Sequence, residues 1–166
     1  SYHGLSNLDI NKKLAATHIK SCPELVSEAE HCKQYRGPKK RIKVGFISTF
    51  LYLHSIGKTT RGIMAHLDKD QFEVIALFLP PLVQDEVSDF IRNNSDASVE
   101  LPINFWAARD MIAALELDIL FYQDIGMEPF SYFLAFSRLA PVQCVSFGHP
   151  DTTGIPNMDW FVSSCL

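Results

Sequence analysis

The sequence reads LDILFYQ at residues 117–123 followed by DIGMEP at 124–129, and VQCVSF at 142–147 followed by GHPDTTG at 148–154. In both places a short apolar run ends in a polar loop that contains glycine. A short apolar run is typical of a strand buried on both faces, and in open parallel sheets ligands bind outside the carboxyl ends of such strands. The sequence therefore predicts a site at these two loops.

Strands and helices alternate through the rest of the chain. The predicted strands are residues 42–47, 72–79, 97–101, 117–123, 142–147 and 160–163, and the predicted helices are 58–67, 82–93, 105–115 and 130–138. Parallel neighbours need right-handed helical crossovers, so this alternation predicts an α/β fold with a doubly wound, mainly parallel, Rossmann-like sheet. A helical lead-in that ends at Pro23 and a polar linker make up residues 1–40, before a domain at 41–166.

Composition excludes several classes of function. The net charge is −4, which offers no broad basic surface for nucleic acid, and the local cluster at residues 39–43 is interpreted as a solvated strand entrance. No apolar run reaches the roughly 20 residues that span a bilayer, so no membrane association is expected. The first residues show neither a signal pattern nor an initiator methionine, so we expect a piece of a longer protein.

The four cysteines show no paired spacing, which is typical of a reducing, cytoplasmic environment. Cys22 follows a histidine by four positions and Cys32 follows one directly, so the residues that could be assembled into a zinc site are His18, Cys22, His31 and Cys32. Because ligands adjacent in sequence are a poor match to zinc-binding spacings, and no C-x-x-C motif is present, no metal is assigned.

The loop after the first predicted strand ends in Gly57-Lys58-Thr59, like a phosphate-binding P-loop. The P-loop pattern needs a glycine five residues before Gly57, but Tyr52 occupies that position. Its Cβ atom disfavours the positive-φ geometry through which successive N–H groups bind phosphate. Asp124, at the end of a buried strand, could still hold Mg²⁺ in a nucleotide-binding or phosphoryl-transfer domain, which we keep as an alternative function.

His54 and Asp124 are candidate functional residues, because each lies in a loop that follows a predicted strand. An imidazole at a sheet edge can donate or accept a proton near neutral pH, although an isolated histidine is more often a surface or packing residue. Asp124 could orient a neighbour, bind a hydroxyl group or cap the helix that begins near Pro129. In residues 148–154, glycines allow close backbone approach to an anion or sugar, and threonines add hydroxyls; the alternative is a tight turn.

Five short motifs occur in a fixed order: VGFIS at 44–48, HSIGK at 54–58, DIGM at 124–127, RLAPVQ at 138–143 and GHPDTTG at 148–154. Each motif alone is weak, but together, at these separations, they are specific. The chain resembles the O-GlcNAc transferase/SPINDLY family, glycosyltransferase family 41, and its bacterial-type members in particular. The resemblance runs from about residue 2 to the last residue.

This resemblance implies the N-terminal lobe of a GT-B glycosyltransferase, whose two Rossmann-like lobes transfer a sugar from a nucleotide-sugar donor to a protein acceptor. It implies that a C-terminal lobe, absent from this sequence, binds most of the donor, which is expected to be UDP-linked. The present lobe would shape the acceptor side, and alone it is expected to be inactive. Relatives use N-acetylglucosamine, fucose or glucose, so the resemblance leaves the donor sugar open.

The resemblance also implies roles for single residues. His54 matches a histidine that faces donor and acceptor in the cleft, and it is the expected catalytic residue. The residues expected to position substrate are Asp124, Gly126, Gly148, His149, Pro150, Thr152 and Gly154. A third interpretation stays open, in which the lobe is a non-catalytic binding module.

Overall fold

A computed structural model describes residues 6–33, 37 and 39–163. Its sheet contains six strands, which are β1 (Ile42–Ser48), β2 (Phe72–Phe78), β3 (Ala97–Glu100), β4 (Ile119–Tyr122), β5 (Val142–Ser146) and β6 (Trp160–Val162). All neighbouring pairs are parallel, and the order across the sheet is β3-β2-β1-β4-β5-β6. This is the strand order of a Rossmann-type sheet, so the predicted α/β, doubly wound fold is confirmed.

Helices cover both faces of the sheet. They are α1 (Leu8–Ser21), α2 (Ser55–His66), α3 (Glu86–Asn94), α4 (Phe105–Ala114) and α5 (Pro129–Leu134). One buried cluster joins α2 and α3 to β1 and β2 and includes Phe46, Met64, Val74 and Ile91. The other lies beneath α1, α4 and α5 and includes Ala15, Ile112, Leu120 and Leu134. Within the described residues, no helix is long and apolar enough to cross a membrane.

Three helix boundaries differ from the predicted ones, and two of the differences are due to local capping. The helix α2 begins three residues earlier than predicted, since the His54 side chain accepts a hydrogen bond from the backbone N–H of Ile56. The helix α3 begins only at Glu86, where Asp85 and Ser88 form a capping box. The helix α5 ends at Leu134, four residues earlier than predicted, and the chain continues in tight turns.

The segment between α1 and β1, predicted as a polar linker, packs closely on the sheet domain. It contains two short 3₁₀ turns, Pro23–Leu25 and Glu30–Cys32, and the side chains of Leu25 and His31 are buried. The Ser137 hydroxyl donates to the Leu25 carbonyl over 2.7 Å, and the amide of Ala29 donates to the carbonyl of Arg138. A few long-range hydrogen bonds thus order a segment that shows no periodic sequence pattern. Residues 34–36 and 38 lie outside the described residues.

Aspartates immediately precede three strands at the amino edge, the end of the sheet where the strands begin. Each accepts a hydrogen bond from a backbone N–H of the neighbouring strand: Asp96 from Val74, Asp118 from Lys43 and Asp159 from Gln143. Each also pairs with a cation, respectively Arg41, Lys39 and Arg138. Carboxylates therefore link neighbouring strands at this edge while their charge is balanced at the surface.

Candidate functional site

The opposite, carboxyl edge of the sheet contains the switch point of the fold. β1 and β4 are neighbours in the sheet, but the chain leaves them toward opposite sides, because β1 leads to β2 and β4 leads to β5. Ligands of open α/β sheets bind in the crevice that this divergence creates. Three loops meet at this edge: residues 49–54 after β1, 123–128 after β4 and 147–159 after β5.

His54 lies at the end of the first loop, as the N-cap of α2. Its Nδ1 atom accepts a hydrogen bond from the Ile56 N–H over 3.3 Å. The imidazole stacks on the Phe50 ring, with centroids 4.5 Å apart and planes 24° from parallel. The ring is half-buried, so one side is held by the protein while part of it stays accessible.

The capping bond fixes which nitrogen of His54 carries the hydrogen. A neutral imidazole has one donor and one acceptor nitrogen, and Nδ1 must be the acceptor because it faces an N–H group. The hydrogen therefore lies on Nε2, which has no hydrogen-bond partner among the residues described. In this arrangement His54 offers a hydrogen-bond donor to a ligand.

Asp124 lies beneath the crevice and is fully buried. Its Oδ2 atom accepts hydrogen bonds from the Ser48 hydroxyl over 2.9 Å and from the Thr49 amide over 2.8 Å. Burial raises the pKa of Asp124, although the Thr49 N–H and the Ser131 and Ser48 hydroxyls favour the ionised form. The contacts seen for Asp124 are with the protein, and its direct contact with a substrate stays a prediction. Glu128, and not Asp124, caps α5.

Three buried polar atoms at the switch point have no hydrogen-bond partner within the described part of the chain. They are Thr49 Oγ1 at the end of β1, Tyr122 OH at the end of β4, and Asp124 Oδ1. Burial also raises the pKa of Tyr122. Unpaired buried polar atoms are costly, so residues that carry them at the carboxyl ends of two neighbouring strands mark a place where more than packing is required.

The loops after β4 and β5 contact each other through Gly126 and His149. Gly126 has a φ of +98°, and a Cβ atom there would lie 2.9 Å from the His149 ring. His149 Nδ1 accepts a hydrogen bond from the Asp151 amide over 3.3 Å, so this imidazole also carries its hydrogen on Nε2. Gly126, His149 and Thr152 line a cavity of about 220 Å³ together with Asn11 of α1.

The other predicted residues of the last loop act through their backbone. A Cβ atom at Gly148 would lie 2.1 Å from the Gln123 carbonyl, so only glycine lets the loop after β5 pass this close to the end of β4. Gly154 has a φ of +66° and lies directly against the backbone of α1. The Thr152 carbonyl accepts a hydrogen bond from the Asn11 side chain over 2.6 Å. Pro150 is exposed in the turn between them.

The Gly57-Lys58-Thr59 segment has none of the geometry of a P-loop. A Cβ atom at Gly57 would lie 2.1 Å from the Tyr52 carbonyl and 2.9 Å from that of Phe50, so carbonyl oxygens crowd the helix at this point. The glycine serves close packing, and carbonyl oxygens repel phosphate. Within residues 6–33, 37 and 39–163, no three His, Cys, Asp or Glu side chains are arranged to hold a metal ion.

The structure thus brings Gly126, His149 and Thr152 together around one cavity, and it places His54 on the neighbouring loop. Ser55 and Ile56, which follow His54, share a second cavity of about 340 Å³ with Gly148.

Four residues of the site were not predicted from the sequence. Ser48 and Phe50 connect Asp124 to His54. Asn7 and Asn11 bind α1 to the last loop. The four-residue spacing of the asparagines, which puts them on one helix face, was the available signal.

Comparison with solved structures gives a strong similarity to a sugar-transferring enzyme. An O-GlcNAc transferase mutant from Thermobaculum terrenum matches with a TM-score of 0.74 and 21% sequence identity, over 95% of this chain and 30% of its own. This chain shares its fold with part of an O-GlcNAc transferase. The expected likeness to that family is thereby confirmed at the level of fold. No protein-family model matches the sequence, and no curated protein matches it. The chain spans less than a third of the similar transferase.

Proposed function

We propose that the chain is the N-terminal, acceptor-side lobe of a glycosyltransferase of the O-GlcNAc transferase/SPINDLY type, located in the cytoplasm. The observation that carries the proposal is the fold likeness to an O-GlcNAc transferase over 95% of the chain. The three loops at the carboxyl edge support it, because the residues predicted from the family motifs lie there around the switch point.

The substrates in this proposal are a nucleotide sugar, carrying N-acetylglucosamine or a related hexose and linked to UDP, and a protein acceptor. The predicted residues at the carboxyl edge include no lysine or arginine, and three of them offer neutral hydrogen-bonding side chains, such as the Nε2–H of His54 and the Thr152 hydroxyl. Such groups suit sugar and acceptor hydroxyls. The positive charge that a diphosphate leaving group needs is assigned to a second lobe, so the lobe alone is inactive.

Transfer requires the acceptor oxygen to be held in line with the anomeric carbon while the bond to the diphosphate breaks. His54 contributes a hydrogen-bond donor in this scheme, because the Ile56 N–H occupies Nδ1 and leaves the hydrogen on Nε2. Its Nε2–H orients an oxygen atom of the sugar donor or of the protein acceptor at the cleft. Proton removal from the acceptor is then the task of another group or of the leaving diphosphate.

The test compares His54→Asn with His54→Ala in the complete transferase that contains this lobe. Asparagine is a good helix N-cap and keeps the acceptor for the Ile56 N–H, but it lacks a donor at the position of Nε2. We expect His54→Asn to fold with near-normal stability and to lose transfer roughly 100-fold. His54→Ala loses both the cap and the donor, so it should also be less stable. Normal turnover by His54→Asn would remove His54 from the mechanism.

The remaining alternatives predict different results. A phosphoryl-transfer domain would bind ATP or GTP with magnesium as the isolated chain, and calorimetry measures this directly; we expect no heat of binding. A non-catalytic module would occur in a parent protein that hydrolyses and transfers no nucleotide sugar. Turnover of UDP-linked N-acetylglucosamine or a related donor by the parent separates the module from the enzyme.

A further inference from the structure

A continuous path of contacts connects the buried Asp124 with the ring of His54. Asp124 Oδ2 accepts a hydrogen bond from the Ser48 hydroxyl over 2.9 Å. The oxygen of that hydroxyl in turn accepts a hydrogen bond from the Phe50 amide over 2.8 Å. The Phe50 ring then stacks on the His54 imidazole at 4.5 Å. The carboxylate therefore fixes the backbone at the residue whose side chain supports His54.

A second hydrogen bond to the Oδ2 atom of Asp124 holds the start of the first loop, residues 49–54, in place. The Thr49 amide donates to the same Oδ2 atom over 2.8 Å, so one oxygen fixes both the side chain of Ser48 and the backbone of the next residue. These contacts cross from β4 to β1, the two strands between which the crevice opens. Movement of Asp124 would consequently move the base of the loop that carries His54.

Stability alone gives little reason for a carboxylate at this position. The aspartates of the amino edge are partly exposed and each pairs with a cation, whereas Asp124 is fully buried, has an unpartnered Oδ1, and pairs with no cation in the described part of the chain. A buried charge without a partner opposes folding. Its two hydrogen bonds on Oδ2, by contrast, come from Ser48 and Thr49, where β1 ends and the first crevice loop begins.

We propose that Asp124 is a positioning residue for His54, which acts through Ser48 and the Phe50 ring to hold the imidazole at the crevice. This inference rests on the proposed function of His54. Asp124 sets the direction of the Nε2–H group, and the precision of that direction decides the rate of transfer because misplacement by about 1 Å can cost orders of magnitude. Its effect is therefore expected on kcat more than on KM.

The experiment reads the His54 ring itself, by side-chain ¹⁵N NMR of the 166-residue chain. Wild type should show one tautomer with hydrogen on Nε2. In Asp124→Ala we expect the ring signals of His54 to shift and broaden, because the Phe50 ring that supports the imidazole is no longer held in place. In Asp124→Asn we expect the wild-type signals to return, since an amide oxygen can accept the same two hydrogen bonds. Asp118→Ala is the matched control, because it removes a carboxylate that bonds the same two strands at the opposite edge.

A folded Asp124→Ala whose His54 signals equal those of wild type would overturn the proposal. If Asp124→Ala does not fold, Ser48→Ala decides in its place, because it removes the hydroxyl that connects Asp124 to the Phe50 amide and adds no bulk. Unchanged His54 signals in Ser48→Ala would equally overturn it. In the complete transferase, Asp124→Ala should lower kcat roughly tenfold or more with little change in KM.

The two proposals can fail separately. If Asp124→Ala disturbs the His54 ring but His54→Asn transfers sugar normally, the positioning role holds and the catalytic role of His54 fails. If His54→Asn is inactive and the ring is unaffected by Asp124→Ala, the proposed function holds and the positioning role fails.

Discussion

The two edges of the sheet use aspartate in the same way but in opposite surroundings. At the amino edge, Asp118 accepts the Lys43 amide and pairs with Lys39, and its carboxylate remains partly exposed. At the carboxyl edge, Asp124 accepts the Thr49 amide between the same two strands, but it is buried and meets no cation within the described residues. The first arrangement stabilises the sheet at little electrostatic cost, and the second carries a cost that folding alone does not require.

The difference indicates that the amino edge stabilises the sheet, whereas the carboxyl edge contains polar groups that stability alone does not explain. Ligand sites of parallel α/β sheets lie at the carboxyl edge. There the chain contains two histidines whose Nδ1 atoms accept backbone hydrogen bonds, buried oxygen atoms without a partner among the described residues, and glycines packed directly against neighbouring loops. The amino edge contains ion pairs that are accessible to solvent. We therefore expect substitutions at the two edges to differ in kind as well as in size.

The largest effect is expected from an added methyl group at the carboxyl edge. In Gly148→Ala the new Cβ would lie 2.1 Å from the Gln123 carbonyl, which is backbone and can yield only if the loop moves. We expect a loss of about 3 kcal/mol of unfolding free energy in urea denaturation. The matched control is Gly62→Ala in α2, where nothing lies within 4 Å and a gain of about 0.5–1 kcal/mol is expected. Equal stabilities of the two variants would contradict a tightly built carboxyl edge.

The dependence of stability on pH should have opposite sign at the two edges. For Asp96, burial opposes ionisation, but the Arg41 hydrogen bond, the Val74 amide and Lys69 outweigh it and lower its pKa. Its ionised form therefore stabilises the fold above the unfolded pKa of about 4, and this contribution is lost as pH falls through the folded value. Asp124 has a raised pKa, so its contribution is full below about pH 4 and is lost as pH rises to the folded value.

The corresponding variants are Asp96→Asn and Asp124→Asn, with unfolding free energy measured across the acid range. We expect Asp96→Asn to remove part of the loss of stability in acid, and Asp124→Asn to remove part of the loss on the neutral side. The charge of Glu128 also raises the pKa of Asp124, so Glu128 is kept in both proteins when wild type is compared with Asp124→Asn. A shift of both variants in the same direction would refute the contrast between the edges.

The smallest effect is expected for the exposed cation of the amino edge. Lys39→Ala removes an ion pair whose lysine is about a third exposed, so we expect a loss of about 0.5 kcal/mol that disappears in high salt. Asp118→Ala should cost more, about 1–2 kcal/mol, because the Lys43 amide then loses its acceptor. Chemical denaturation at two salt concentrations measures both. A salt-independent Lys39 effect would show that this edge is less solvated than its exposure indicates.

Much of the fold could be predicted because its signals are local. The apolar runs at β4 and β5 and the helical pattern at α4, which precedes β4, are readable within a dozen residues, and they fix the order of strands and helices. Helix starts were less predictable, since His54 and Asp85 cap through side-chain contacts that no periodicity reveals. The site loops were predictable in position, because loops that follow parallel strands share one edge.

The class of fold, the loops of the carboxyl edge and the motifs on them can all be read from the sequence. Folding in three dimensions adds that Asp124 binds Ser48, 76 positions earlier in the chain, that His54 carries its hydrogen on Nε2, and that α1 lies against Gly154. Hydrophobic periodicity is a property of neighbouring residues, whereas a hydrogen bond between distant strands depends on how the whole core packs. The same aspartate chemistry therefore stabilises one edge of the sheet and, in the role we propose for Asp124, organises a site at the other.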